Sequence, residues 1–220
     1  MITKIKKSGE IKMKKILALT LSLVMMLALA SCGGGKENET TPAVTTDPVT
    51  DAPATDAPVV QAVDPLDAFT KIWAAMPEEF RFAAGGGDAE NMVMDGPGKF
   101  GLTAAEAGDS IDAMLGFPKD LVAKIDSAAS LMHMMNANTF TAGAYHFVDA
   151  ADKDASVDTI KSNILARQWM CGFPETLIIV DLGGNTLLSA FGNGQVVEAF
   201  KNTTLKTIEG AKVVVESPIG

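Results

Sequence analysis

Thr176-Leu177-Ile178-Ile179-Val180-Asp181-Leu182 and Thr186-Leu187-Leu188-Ser189-Ala190-Phe191 stand on either side of Gly183-Gly184-Asn185. Two apolar, β-prone runs separated by residues that tolerate positive φ are the signature of a β-hairpin. Upstream, Val157, Ile160, Ile164, Leu165 and Trp169 recur at helical spacing, which predicts a helix over Ser156–Met170 with one apolar stripe. Earlier still, Ser127–Asn136 and Thr139–Val148 read as two strands joined at Asn136-Ala137-Asn138, residues that tolerate positive φ in turns. Downstream, Gln195–Lys201 reads as a short helix and Lys212–Glu216 as a last strand. The order strand, strand, helix, strand, strand, helix predicts an α+β domain, with helices packed on an antiparallel sheet.

Amino-terminal helices precede this core. Asp64-Pro65 opens one, with an acceptor at the cap and proline in the first turn, and Leu66, Phe69, Ile72, Trp73 and Met76 follow before Pro77 ends it. A second is expected from Thr103 to Leu115, closed by Gly116. Between them, residues 83–101 are punctuated by Gly85-Gly86-Gly87 and Gly96-Pro97-Gly98 and read as an irregular connection. Residues 64–220 make an ordinary single-domain length that needs no disulfide staple.

The chain has 220 residues, 47% of them hydrophobic, and a formal charge of −9. Six of its 18 basic residues but only one of its 27 acidic residues precede position 32, so residues 32–220 carry 12 basic and 26 acidic side chains, a balance of −14. Duplex binding draws its affinity from cations on phosphate, so this balance argues against a nucleic-acid partner. An acidic surface also repels anionic lipid and attracts cations or a basic partner.

Lys14-Lys15 precede an apolar run from Ile16 to Ala30, followed by Leu29-Ala30-Ser31-Cys32 and three glycines. A basic start, a short apolar stretch and small residues make a signal peptide, and a 15-residue run is short of the roughly 20 residues a spanning helix needs. The four residues resemble a bacterial lipobox, which implies cleavage between Ser31 and Cys32 and a diacylglycerol on the Cys32 thiol. Two acyl chains anchor stably without a spanning helix. The bland alternative is an ordinary secretory signal with a bystander cysteine. Met13-Lys14-Lys15 opens such leaders cleanly, so residues 1–12 read as an extension ahead of the true start. Residues 1–31 are thus expected to be a lipoprotein signal peptide, and residues 32–63 the lipidated cysteine and its linker.

Within that linker, residues 36–63 are rich in Thr, Pro, Asp and Ala, with a degenerate repeat at Val49-Thr50-Asp51-Ala52-Pro53 and Ala54-Thr55-Asp56-Ala57-Pro58. Prolines this frequent block helices, and so little apolar surface cannot offset ordering entropy. The segment reads as a disordered tether.

The leader and the core order together resemble a family of small surface lipoproteins of Gram-positive bacteria that carry a domain of unknown function. The resemblance spans Leu121–Thr207 and rests on Arg167-Gln168 late in the long helix and Phe173-Pro174 before the Leu-Ile-Ile-Val strand. It implies an envelope location, on the extracytoplasmic face of the cell membrane, and no assigned chemistry.

Candidates for chemistry are few. Cys171 and His146 would be a nucleophilic pair if they met, which makes a thiol-dependent envelope hydrolase the rival to a non-enzymatic binding module. Cys171 beside Gly172-Phe173-Pro174 also suits a buried small hydrophobe. Asp149, Asp152, Asp154 and Asp158 form an oxygen-rich cluster of the kind that holds calcium, but their spacing lacks the central glycine and terminal glutamate of the standard loop, and a helix cap at Asp154 or Ser156 explains them without metal. Gly192-Asn193-Gly194 lacks the third glycine of a phosphate cradle. No cofactor is implied. The expected partners are the membrane, through Cys32, and an unknown envelope protein or small ligand; a two-lobed solute receptor is a further alternative for which the domain is small. His133 lies among Leu131, Met132, Met134 and Met135, whose methionines would make a soft surface patch if exposed. Limited proteolysis of the native protein should cut first within 36–63 and leave a resistant fragment beginning near residue 64; early cleavage spread across 64–220 would contradict a single folded unit.

Overall fold

Gly184 and Asn185 adopt positive φ, 52° and 64°, the backbone of a two-residue turn whose twist matches that of the strands it joins. This is a computed structural model, and it describes residues 62–170 and 172–220. The readings that fall on the leader, on Ser31 and Cys32, on the tether before Ala62 and on Cys171 lie outside the described residues. In chain order the elements are α1 (Pro65–Ala75), β1 (Ala84–Gly86), β2 (Val93–Met94), β3 (Gly98–Lys99), α2 (Ala107–Leu115), β4 (Ile125–His133), β5 (Phe140–Phe147), α3 (Ala150–Leu165), β6 (Thr176–Gly183), β7 (Thr186–Gly192), α4 (Gly194–Thr207) and β8 (Lys212–Pro218). The class is α+β, as the order of elements predicts.

The strands form one antiparallel sheet in the order β2-β1-β4-β5-β7-β6-β8, with β3 also pairing on the β1 side of β4. Because β7 lies between β5 and β6, those two strands are parallel and α3 crosses over β7. Because β6 lies between β7 and β8, α4 crosses over β6. Both crossovers move the same way across the sheet, yet they start from strands that run in opposite directions. Crossovers of one hand must then put their helices on opposite faces.

The packing agrees. On one face, Phe69 and Ile72 of α1 and Val197 and Phe200 of α4 cover Phe140, Ala142, Ala144, Ile178, Val180, Leu188 and Ala190. On the other, Ile111 and Leu115 of α2 and Ile160 and Ile164 of α3 cover Tyr145, Phe147, Leu177, Ile179, Leu187 and Phe191. Successive residues of β5, β6 and β7 thus feed two cores, and each fully buried large side chain contributes roughly 1.5–3 kcal/mol. Lys153 of α3 bridges to Asp181 of β6 at 2.7 Å and ties that helix to the sheet.

Three local expectations are corrected. First, α3 begins at Ala150, not Ser156: Asp149, extended after β5, accepts from the Ala151 amide at 2.7 Å, while Ser156 sits inside the helix and donates to the Asp152 carbonyl. The helix also stops at Leu165, and Arg167 turns away to donate to the Asp112 and Ala113 carbonyls, both at 2.7 Å, in the last turn of α2. Secondly, the turn after β4 does not use positive φ at its asparagines; the Asn138 amide donates to Asn136 Oδ1 at 3.0 Å, a side-chain-built turn. Thirdly, residues 83–101 are irregular only in part: they hold three short strands, β1, β2 and β3. Glycine carries no side chain with which to show alternation, so these strands have no period to read.

Glycine also makes room at the centre of the sheet. The buried Tyr145 ring lies over Gly143, where a Cβ would collide with the phenol, and its hydroxyl meets Ser189 Oγ at 3.3 Å. Gly143→Ala should therefore destabilise the domain by about 1–3 kcal/mol through overpacking, read as a lower denaturation midpoint in urea. Ala142→Gly, one residue away, has no such clash to make.

Candidate functional site

The described residues singled out for chemistry each take up local partners on folding. His146, near the end of β5, holds Asp126 Oδ1 at 2.6 Å from Nδ1, and among the described residues it bonds to no hydroxyl. Asn138, at the other end of β5, donates through Nδ2 to the carbonyls of Met170 (2.8 Å) and Gly172 (3.0 Å), the two neighbours of Cys171. From Phe140 to His146 the strand advances roughly 20 Å at about 3.3 Å per residue. Met170 and Gly172 therefore lie far from the histidine. His133, the last residue of β4, braces the turn that follows: its Nδ1 accepts from the Met135 and Asn136 amides at 3.2 and 3.3 Å, and its ring stacks on Phe82.

The acids disperse too. Asp149 caps α3, Asp152 pairs with Lys124 at 2.6 Å, and Asp154 reaches Lys153 at 3.4 Å. Among the described residues, no group of three or more His, Cys, Asp or Glu is placed to hold a metal ion. At Gly192-Asn193-Gly194, Asn193 Oδ1 accepts from the Gln195 and Val196 amides, and Glu175 Oε2 accepts from the Gly194 amide at 2.8 Å. A carboxylate of the chain itself thus occupies the position where a phosphate cradle would bind its anion.

Apolar exposure, by contrast, is concentrated. Of eleven large apolar side chains exposed among the described residues, Met92, Val93, Met94, Met134, Met135, Met170 and Phe173 come from β2 and the residue before it, the turn after β4 and the segment leading into β6. These elements meet at one end of the sheet through three links: β2 pairs with β1, β1 pairs with β4, and Asn138 holds Met170. Val148, Leu165, Leu205 and Val214 lie elsewhere in the fold. A gathered apolar surface of this kind marks a contact site more often than singly scattered residues do.

The edge that carries Met92 and Met94 is fixed by polar contacts around glycine. Ser130, fully buried in β4, accepts from the Gly87 amide at 2.8 Å and donates to the Gly87 carbonyl at 3.0 Å, completing β1 with a side chain in place of a ladder bond. A Cβ on Gly86 would collide with the backbone of Gly98 and Ser130, so only glycine lets β1 and β3 lie side by side against β4. Asp88 then gathers the loop. Its Oδ1 accepts from the Glu90 and Asn91 amides, both at 2.9 Å, and from Asn91 Nδ2, while its Oδ2 accepts from the Gly101 amide.

The sequence marks Met132, Met134 and Met135 as a patch conditional on exposure, but not Met92 and Met94, which sit in the glycine-punctuated segment. The alternation Met92-Val93-Met94, echoed by Met132-His133-Met134, was the available signal. No family model, curated protein or solved structure matches this chain.

Partial burial on its own would raise the Asp88 pKa, but the amides of Gly101, Asn91 and Glu90 and the Asn91 side chain outweigh it, and the carboxyl titrates below the ordinary 3.8. A depressed acid contributes stability that is present above its unfolded value and lost as pH falls through its folded value. The Gly101 amide resonance should accordingly shift with a midpoint below 3.8 in an NMR acid titration; a midpoint at or above that value would contradict the loop geometry.

Proposed function

We propose that this chain is a lipid-anchored lipoprotein on the extracytoplasmic face of the cell membrane, and that its folded domain is a non-enzymatic binding module of the envelope. One observation carries the reading: a basic leader and a 15-residue apolar run end in Leu29-Ala30-Ser31-Cys32 and continue into a Thr/Pro/Asp/Ala-rich tether before the domain begins. The resemblance to small Gram-positive surface lipoproteins points the same way.

Two features of the domain support the binding half. Its exposed apolar side chains gather at one end of the sheet. Asp149, Asp152 and His146, three of the residues singled out for chemistry, are engaged in a cap and in pairs. Among the described residues no helix is long and apolar enough to cross a membrane, and the proposal assigns attachment to acyl chains on Cys32. At about 0.8 kcal/mol per buried methylene, two chains hold a protein at a bilayer stably. The acidic domain is repelled by anionic headgroups, and a tether that spaces it from the surface relieves that repulsion.

Cys32→Ala should leave the domain folded by circular dichroism yet move the protein from the detergent phase to the aqueous phase on detergent partitioning, with loss of metabolic fatty-acid labelling. Undiminished membrane retention of the variant would overturn the anchor.

A further inference from the structure

Ala84 and its cross-strand partner His133 face the side of the sheet covered by α1, where Ala84 is buried and His133 stacks on Phe82. The next position therefore faces the opposite side. There Gly85 is paired with Met94 on one flank and Met132 on the other, so the two methionines point to the same face across a residue with no side chain. Strands lie about 4.8 Å apart, which sets the two methionine backbones roughly 10 Å from each other with a bare glycine between them. Met134, two residues beyond Met132 and on the same face, fills that gap. Its thioether lies directly over Gly85: a Cβ there would collide with Met134 Sδ and would approach its Cγ at 3.0 Å.

We propose that Met94, Met132 and Met134 form a binding site for a soft monovalent metal ion, Cu(I). With Met134 Sδ over Gly85 and Met94 and Met132 flanking it on the same face, three uncharged thioethers are within reach of one ion, a donor set that selects Cu(I) over harder divalent ions. Met94 and Met134 are 61% and 38% exposed, so an ion reaches the site from solvent. Methionine has three rotatable side-chain bonds, which lets Met94 and Met132 swing onto an ion seated beside the Met134 sulfur. The −14 balance of residues 32–220 draws cations to the domain, while the neutral sulfurs give the site its selectivity. This names a ligand for the binding module proposed above and rests on that reading for its supply of ion outside the cell. Binding itself is measured on purified protein, so it can fail while the anchor stands, or hold while the anchor fails.

The test is a Cu(I) titration of the native protein in detergent, under reducing conditions, against a chromophoric Cu(I) chelator. The expected result is one Cu(I) per chain with sulfur-only coordination by X-ray absorption, and an affinity unchanged between pH 5 and 7, because thioethers do not titrate there. Met94→Leu and Met134→Leu should each weaken binding about tenfold or more, and Met135→Leu should not. Gly85→Ala retains every sulfur but puts a methyl group where Met134 Sδ rests; it should fold, because the flexible thioether can move aside, and should still bind more weakly. Cys171→Ser should bind as the wild type does. No Cu(I) bound by the wild type, equal affinity in Met94→Leu and Gly85→Ala, steep weakening at pH 5, or loss of binding in Cys171→Ser would each overturn the site.

Discussion

Burial of β5, β6 and β7 on both faces is the constraint on which the rest of this domain depends. A strand covered on one side can alternate apolar and polar residues; a strand covered on both sides must satisfy two cores at once. Phe140, Ala142 and Ala144 serve one core of β5 and Tyr145 and Phe147 the other, with Gly143 leaving space for the tyrosine ring. The few polar groups admitted there are partnered, and among the described residues no buried side-chain polar atom lacks a hydrogen bond. Burial holds the Tyr145 hydroxyl well above its ordinary pKa, despite Ser189 and the nearby Arg167, so it remains a neutral hydrogen-bonding group.

Two interlocked crossovers impose that double burial. Each helix bridges a strand that belongs to the other helix's unit, so neither α3 nor α4 can be removed without uncovering the pair at the centre. Side chains tie the layers further. Lys153 reaches Asp181 across the α3 face, and Lys201 of α4 joins Glu216 of β8 at 2.9 Å and Glu198 at 2.6 Å. Arg167 serves the carbonyls at the end of α2 while lying against the Trp169 and Phe191 rings, which accounts structurally for the arginine that marks the sequence there.

Away from this rigid centre, the β1–β3 edge is organised by backbone and by single polar side chains. Glycine permits close approach at Gly86, Ser130 replaces a ladder bond, and Asp88 gathers four donors. That economy leaves the methionines of the edge free to face solvent. A domain so thoroughly apolar inside gains nothing in stability from exposed methionines. They are concentrated at one end of the sheet.

Local chemistry was legible along the chain. The hairpin at Gly184-Asn185, the cap at Asp64, the stop at Gly116 and the antiparallel α+β class each follow from residues within a few positions of one another. The leader and lipobox proposed for the amino terminus rest likewise on linear order alone. What needed the tertiary structure was everything set by distance in space. Strand order, and with it the placing of helices on both faces, depends on which strand inserts between which, and no local pattern encodes that. The strands at Gly85-Gly86 and Gly98 could not be read because glycine has no side chain to alternate, yet their close approach requires glycine. The placing of Met94 and Met132 on either side of Gly85, with the Met134 thioether over it, relates residues up to 40 positions apart, and only the register of β1 against its two neighbours sets it.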